Sequence, residues 1–189
     1  MKPALSELHL QGHISSSYID DIYLQGKTYH ECVENVIDTV TQFDRLGLVA
    51  HPIKSVFNPS QELEILGFML NSVTMTITLT GRKAQTLQIA CKTLLEHPAP
   101  TIREVARVIG KIVSSFPGVL HGPLHYRQLE HDKTTALQNN RWNFDKHMSL
   151  SPAARVKLTW WISHVIDSVN VMTRENPAHI LTTDASGEG

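Results

Sequence analysis

The stretch ISSSYIDDIYL, residues 14–24, is the part of this chain from which its fold is most directly predicted. Two short apolar stretches, residues 14–18 and 22–24, flank the adjacent aspartates Asp20 and Asp21. Apolar runs on either side of turn-forming residues are typical of a β-hairpin. We therefore expect a hairpin whose turn lies near the two aspartates.

Asp20 and Asp21 also indicate a kind of chemistry. In a turn, both carboxylates can approach one metal site, and such hard oxygen ligands suit Mg²⁺ or Mn²⁺. Carboxylates that hold two cations are what two-metal phosphoryl transfer requires. Aspartate is also common in turns, so an exposed acidic turn is the alternative. The metal site is favoured by the surrounding pattern: Tyr18 precedes the pair, apolar strands flank it and a capped helix follows.

The pattern downstream predicts an α+β fold. Thr28 and Glu31 have capping-box spacing, which predicts a helix over residues 29–46 that ends at Gly47. We expect a short strand near Val49. A second hairpin is then predicted from residues 64–70 and 74–79, joined through residues 71–73.

Helices are predicted after residue 82. They cover residues 82–96, a segment from Thr101 to Pro117, residues 124–137, and a segment beginning at Ser151. We expect Val156, Trp160 and Val165 to mark the apolar side of the last helix. Domain boundaries are expected near residue 80 and at residues 176–179.

Composition limits the classes of protein. The 189 residues are 41% hydrophobic with a formal net charge of −1, which favours a folded domain and argues weakly against a free-standing nucleic-acid binder. No apolar run is long enough to span a bilayer, and no signal core is present, so we expect an intracellular protein of the cytoplasm or nucleus. Cys32 and Cys91 fit no zinc spacing. The spacing of His121 and His125 invites a zinc interpretation, but Pro123 lies between them, no cysteine is near, and His131 adds little.

Several motifs resemble one family in the same order along the chain. The YxDD box of reverse transcriptases resembles residues 18–21, YIDD. The next polymerase motif resembles Leu46-Gly47-Leu48 with Lys54. The primer grip resembles Leu66-Gly67-Phe68. Residues 103–117 and 122–127, with Trp160-Trp161, resemble the thumb and connecting region of DIRS-type, tyrosine-recombinase-encoding retrotransposons. Residues 183–186, TDAS, resemble the first strand of a ribonuclease H domain.

The resemblance implies a division of the chain. Residues 1–80 would be the end of a polymerase palm, residues 81–176 a helical thumb and connection, and residues 177–189 the start of a ribonuclease H-like domain. Asp20 and Asp21 would be two of three aspartates that hold two Mg²⁺ or Mn²⁺ ions, with Asp20 the more direct ligand. The third belongs to an earlier strand that this sequence lacks. We therefore expect a truncated piece that does not polymerise alone.

The resemblance also implies partners and further site residues. The parent enzyme would bind an RNA or DNA template-primer and deoxynucleoside triphosphates, with no membrane and no small-molecule cofactor. Tyr18 would pack beside the primer end or the templating duplex, or else in the core. Lys54 would approach the triphosphate as a catalytic general acid, or lie on the surface. Gly67 would allow close approach to the primer, or form a β-bulge, while Leu66 and Phe68 are expected in the core. Asp184 would be a metal ligand of the ribonuclease H site.

Three cations on one predicted helix indicate a nucleic-acid contact. Arg103, Arg107 and Lys111 recur at intervals of four residues, opposite the apolar side of the helix. Such a basic stripe can follow a phosphate backbone, although a solvated face is the simpler interpretation. Two other functions compete with the polymerase: a non-catalytic transposon remnant or nucleic-acid-binding module, and an unrelated acidic α/β binding domain.

Overall fold

The computed structural model of the chain describes residues 2–173, with side chains from Leu5 onward. The described residues combine helices with two antiparallel sheets, which confirms the predicted α+β class. The chain divides into two compact units between Leu70 and Asn71. This division lies before the boundary expected near residue 80, because the strand Thr76–Leu79 pairs with a strand of the second unit. No helix within the described part is long and apolar enough to cross a membrane.

The first unit begins with α1 (Lys2–Leu10), the hairpin strands β1 (Ile14–Tyr18) and β2 (Asp21–Gln25), and α2 (Tyr29–Arg45). Leu5 and Leu8 of α1 pack with Phe43 of α2 and with Ile22 of β2 in a small core. The predicted hairpin and helix are thus confirmed. Burial of these apolar side chains fixes the two helices to one side of the hairpin.

The start and the end of α2 follow from its capping residues. The Thr28 side chain accepts a hydrogen bond from the Glu31 N–H, while the Glu31 carboxylate accepts one from the Lys27 N–H at 2.8 Å. Gly47 has a φ of 70°, the left-handed conformation that glycine adopts after a helix. The capping pattern therefore predicted both ends correctly to within one residue.

The predicted bounds of the strand over residues 64–70 are wrong, because the structure divides that stretch into two strands. They are β3 (Glu62–Ile65) and β4 (Phe68–Asn71). Leu66 and Gly67 have φ of 52° and 78°, and positive φ at both central residues makes the tight two-residue turn of a hairpin. The strand expected near Val49 is also wrong: residues 46–61 form no strand, and Val49 is exposed, so extension there would bury nothing.

The second unit is a helical bundle with two strands. Its elements are β5 (Thr76–Leu79), α3 (Gly81–Glu96), α4 (Ile102–Val113), α5 (Arg127–Asn139), α6 (Pro152–His164) and β6 (Val169–Val171), with short 3-10 turns at Phe116–Gly118 and Gly122–His125. The predicted helices are confirmed, including the capping box of Thr101 and Glu104. The pairing of β5 with β6 was not predicted.

The buried side of α6 differs from the prediction. Val156 is 66% exposed, contrary to the prediction, whereas Val165 is buried as predicted. The buried positions are Ala154, Leu158, Trp161 and Val165. These four positions recur at intervals of four, three and four residues, so they form one helix face. The Trp161 indole N–H donates a hydrogen bond to the His125 carbonyl at 2.9 Å, which satisfies the one polar group of this buried ring.

Candidate functional site

The tip of the β1–β2 hairpin carries the candidate carboxylates. Tyr18 pairs with Asp21, so Ile19 and Asp20 are the two turn residues and Asp21 is the first residue of β2. The predicted turn is confirmed, although it lies one residue earlier than the aspartate pair. Asp20 therefore projects from a turn and Asp21 from a strand end.

Ile19 gives this turn an unusual backbone. Its φ is 54°, in the left-handed region, where a β-branched residue is an outlier. Such a conformation costs about 1–2 kcal/mol for a non-glycine residue. The side chain is also 73% exposed, so its burial does not offset the strain. Strain of this kind persists only where the surrounding structure holds it, and it concentrates at functional sites.

Asn35 of α2 holds the open end of the hairpin. It is buried, and its side-chain N–H group donates to the carbonyls of Ile14 at 2.9 Å and of Gln25 at 3.1 Å, the two residues that end the ladder. The Thr39 hydroxyl donates to the Asn35 side-chain oxygen in turn. Sequence reasoning missed Asn35, although a polar residue on the buried face of a helix was a signal for it.

Gly26 sets the distance between the hairpin and α2. A Cβ placed there would lie 2.7 Å from the Cys32 backbone nitrogen and 2.9 Å from the Glu31 carbonyl carbon. Only glycine permits this close approach of two backbone segments. The open end of the hairpin is therefore held close to the first turn of α2.

Both carboxylates are available to a cation. Asp20 and Asp21 are exposed, and within residues 2–173 neither takes part in a salt bridge. An ionised carboxylate presents acceptor oxygens only, which are the ligands that Mg²⁺ and Mn²⁺ prefer. No cluster of three or more His, Cys, Asp or Glu side chains that could hold a metal occurs in the described residues. The hairpin thus places two aspartates next to each other at its tip, and the described residues add no third metal ligand to them.

Tyr18, Lys54 and Gly67 are the other residues predicted for the first unit. Tyr18 is 61% exposed, which excludes the alternative that it is a core residue. Lys54 is exposed in a turn, where its backbone N–H donates to the His51 ring at 3.4 Å. Gly67 lies in the turn after β3 rather than in a bulge. Their contacts with nucleic acid or nucleotide stay predictions.

Leu66 and Phe68, on either side of Gly67, were expected in the core. Phe68 is buried, as predicted, but Leu66 is exposed, so that half of the prediction is wrong. The reason is that Leu66 lies in the turn between β3 and β4, with a φ of 52°, and not in a strand.

The basic stripe lies on α4 as the helical spacing predicts. Arg103, Arg107 and Lys111 are all exposed, while the opposite side of the helix is buried. The Arg103 guanidinium donates a hydrogen bond to Asp145 at 2.8 Å, and this contact raises the pKa of Arg103 and lowers the pKa of Asp145. Arg107 and Lys111 form no salt bridge within the described part, so they are the freer cations.

The His125 ring is part of an aromatic stack. Its ring stacks on Trp160 with centroids 3.8 Å apart, and Trp160 stacks on His164 at 4.6 Å. The His125 Nδ1 is buried and has no hydrogen-bond partner among the described residues. Burial lowers the pKa of His125, and the positive charges of Lys157, His164 and His121 add to this effect. His121, His125 and His131 form no metal-holding group in residues 2–173.

Asp184 and the final strand predicted around it lie outside the described residues, as does the boundary expected at residues 176–179. The predicted ribonuclease H carboxylate therefore stays a prediction.

Comparison with known proteins relates the fold to a reverse transcriptase. No family model matches the sequence, and no curated protein matches it. A solved structure of the foamy viral protease-reverse transcriptase dRH, in complex with double-stranded DNA, is similar with a TM-score of 0.61 and 18% sequence identity. The similarity covers 85% of this chain and 26% of that chain. The chain thus has a fold similar to part of a reverse transcriptase and spans about a quarter of that structure's length.

Proposed function

We propose that this chain is part of a reverse transcriptase whose hairpin, residues 18–21, contributes two metal-binding carboxylates to template-directed DNA synthesis. The observation that carries the proposal is the strained two-residue hairpin, which presents Asp20 and Asp21 without a salt bridge to any residue of 2–173, in a fold similar to part of a reverse transcriptase. The motifs at residues 103–117 and 122–127 support a DIRS-type lineage for the parent element.

The hairpin residues fit divalent cations. Asp20 at the turn and Asp21 at the strand end would hold Mg²⁺ or Mn²⁺, and two ions so held stabilise the attacking and leaving oxygens of a phosphoryl transfer. Tyr18, which is exposed beside them, would pack against the primer end. The Lys54 ammonium would donate a proton to the leaving pyrophosphate, and the Gly67 turn would admit the primer backbone. The partners are a template-primer and deoxynucleoside triphosphates.

Metal binding at the hairpin can be measured directly. In a titration of the isotope-labelled chain with Mn²⁺, we expect paramagnetic broadening centred on the amide signals of residues 18–21. Asp20→Asn and Asp21→Asn should each abolish it, while Asp44→Asn, an exposed carboxylate elsewhere in the first unit, should not. Broadening that persists in both hairpin variants would contradict the proposal.

Catalysis by the chain itself is a separate question. The described residues bring no third carboxylate to the pair, so we expect no primer extension from this chain with Mg²⁺ and a primer-template. Robust synthesis would show that the two hairpin carboxylates suffice or that another ligand joins them.

Duplex binding tests the basic stripe. We expect Arg107→Glu and Lys111→Glu each to reduce the slope of log affinity against log salt by about one. Arg103→Glu should have a smaller effect, because Asp145 already neutralises Arg103. Lys92→Glu, on α3, is the control for a general change of charge. An unchanged slope in the Arg107 and Lys111 variants would mean that the stripe is only a solvated face.

A nucleic-acid-binding module without catalysis is the second candidate. The specific observation in its favour is that residues 2–173 bring two carboxylates together and no third. Duplex affinity that is unaffected by both Mn²⁺ and the substitutions at Asp20 and Asp21 would favour this candidate.

A further inference from the structure

The loop after α5, residues 140–147, presents a tryptophan on a strained and well-held backbone. The Arg141 N–H donates to the Gln138 carbonyl at 3.4 Å and the Trp142 N–H to the Leu137 carbonyl at 2.8 Å. These two bonds form the Schellman motif that ends a helix, in which glycine normally takes the left-handed position. Here Arg141 and Trp142 have φ of 51° and 62° instead. Two consecutive bulky residues thus adopt a conformation that side chains disfavour.

The same loop is fastened to the start of α4. The N–H groups of Ile102 and Arg103 donate to the carbonyls of Lys146 and Phe144, both at 2.9 Å. The loop therefore supplies acceptors for N–H groups that the first turn of a helix leaves unpaired. It is pre-organised at both ends, so the strained residues are held in place by the rest of the unit.

Trp142 does not contribute its ring to the core. Its side chain is 63% exposed, whereas Trp161 of the same unit is fully buried. A large aromatic ring held in solvent by a strained backbone points to a ligand, since exposure of the ring gains the folded chain nothing.

The other residues of this loop indicate the charge of that ligand. Arg141 and Lys146 are exposed in the loop, and the Arg103 guanidinium lies 5.8 Å from the centre of the half-exposed Phe144 ring. Asp145 is the one carboxylate of the loop, and Arg103 pairs with it. The surface thus combines aromatic rings with two cations that no salt bridge neutralises within residues 2–173. A site for an apolar protein partner would instead have apolar residues beside the tryptophan.

We propose that Trp142, with Arg141 and Lys146, forms a stacking site for a single-stranded segment of nucleic acid. A base would stack on the indole, while the two cations would contact the neighbouring phosphates. A single strand fits because its bases expose their faces, whereas the bases of a duplex are stacked on each other. The inference rests on the proposed function, since it assigns a second contact with the nucleic acid.

Fluorescence and anisotropy titrations with an oligothymidylate of about 12 nucleotides test the site. We expect Trp142→Ala to weaken binding about tenfold, while Trp142→Phe stays within about threefold of the parent chain, because a phenyl ring still stacks. Tyr29→Ala, an equally exposed aromatic of the first unit, is the control and should leave the affinity unchanged. An abasic strand of the same length should bind the parent chain and Trp142→Ala equally. Circular dichroism verifies the fold of each variant.

The outcomes separate this site from the proposed function. An oligothymidylate affinity that is unchanged in folded Trp142→Ala, or an abasic strand bound as tightly as oligothymidylate, overturns the stacking site. Self-association of the chain that Trp142→Ala abolishes, with oligothymidylate binding unchanged, also overturns it and makes the loop a protein contact. If Mn²⁺ broadening persists in Asp20→Asn and Asp21→Asn while oligothymidylate binding still depends on Trp142, the metal site of the proposed function fails and the stacking site stands. If duplex binding is unchanged by Arg107→Glu and Lys111→Glu while oligothymidylate binding depends on Trp142, only the basic stripe fails.

Discussion

Gly122 touches the most buried ring of the second unit, so its replacement by alanine should be costly. A Cβ at this position would lie 2.7 Å from the Cη2 atom and 3.1 Å from the Cζ2 atom of Trp161, and 3.2 Å from the Phe116 ring. Carbon atoms in contact prefer about 3.5–4.0 Å, so the closest approach falls short by about 1 Å. The Trp161 ring has little freedom to move, because its indole N–H is bonded to the His125 carbonyl and Trp160 packs against its edge.

The magnitude follows from this overlap. Overpacking of a core costs typically about 1–3 kcal/mol, and we expect Gly122→Ala to lie in the upper half of that range because the ring is fixed. For a unit of roughly 100 residues, a loss of about 2 kcal/mol lowers the Tm by about 10 °C. Thermal unfolding followed by far-ultraviolet circular dichroism, with near-ultraviolet signals of the tryptophans as a second probe, measures the change.

Gly110 provides a matched control with the opposite sign. It lies within α4, and a Cβ there meets no atom of residues 2–173 within 4 Å. Gly110→Ala should therefore raise the stability by about 0.5–1 kcal/mol, as alanine does in a helix interior. The reasoning is refuted if Gly122→Ala melts at or above the parent temperature, or if the two alanine variants shift the Tm in the same direction.

Three further perturbations test other parts of the structure. Because the folded-state pKa of His125 is lowered from 6.5, the unfolded chain binds more protons than the folded chain near that pH. The free energy of unfolding should therefore fall as pH drops through about 6.5. Urea unfolding between pH 7.5 and about 5 should show this fall, and His125→Phe should make it smaller. Ile19→Gly should raise the urea midpoint by the equivalent of about 0.5 kcal/mol, since relief of the left-handed strain exceeds the entropy cost of glycine, and a lowered midpoint would contradict the strain. Thr101→Ala should cost about 1 kcal/mol through loss of the capping box, and thermal melts equal to the parent's would show that the loop carbonyls alone cap α4.

The fold could be predicted wherever local chemistry decides it. The first residues of α2 and α4 follow from Thr28 and Thr101, because an N-terminal capping box needs only residues three positions apart. The split between β3 and β4 could not be read so easily, since residues 64–70 are nearly all apolar and only Gly67 marks the turn. Leu66 takes a positive φ there, which no propensity predicts for leucine.

Long-range contacts decided the features that sequence reasoning got wrong. On α6, Val156 and Trp160 offered one apolar stripe, and Leu158 and Trp161 another. The second is buried because the Trp161 N–H reaches the His125 carbonyl, a contact between positions 36 residues apart. Strand β6 was missed for the same reason, because three residues become a strand only through their pairing with β5.

The candidate site also has a part that the local sequence predicts and a part that depends on long-range contacts. Tyr18, Asp20 and Asp21 are consecutive or nearly so, and a hairpin brings them together whatever surrounds it, so the local pattern sufficed to place both carboxylates. A two-metal centre, by contrast, needs oxygens from separate strands, and the described residues supply no third ligand to the pair. The position of the hairpin depends on Asn35, which bonds to both strands at the open end of the ladder from within α2. Catalysis by the two carboxylates therefore depends on metal ligands that are distant in sequence. The Mn²⁺ titration of Asp20→Asn and Asp21→Asn tests metal binding by the two carboxylates without requiring catalysis.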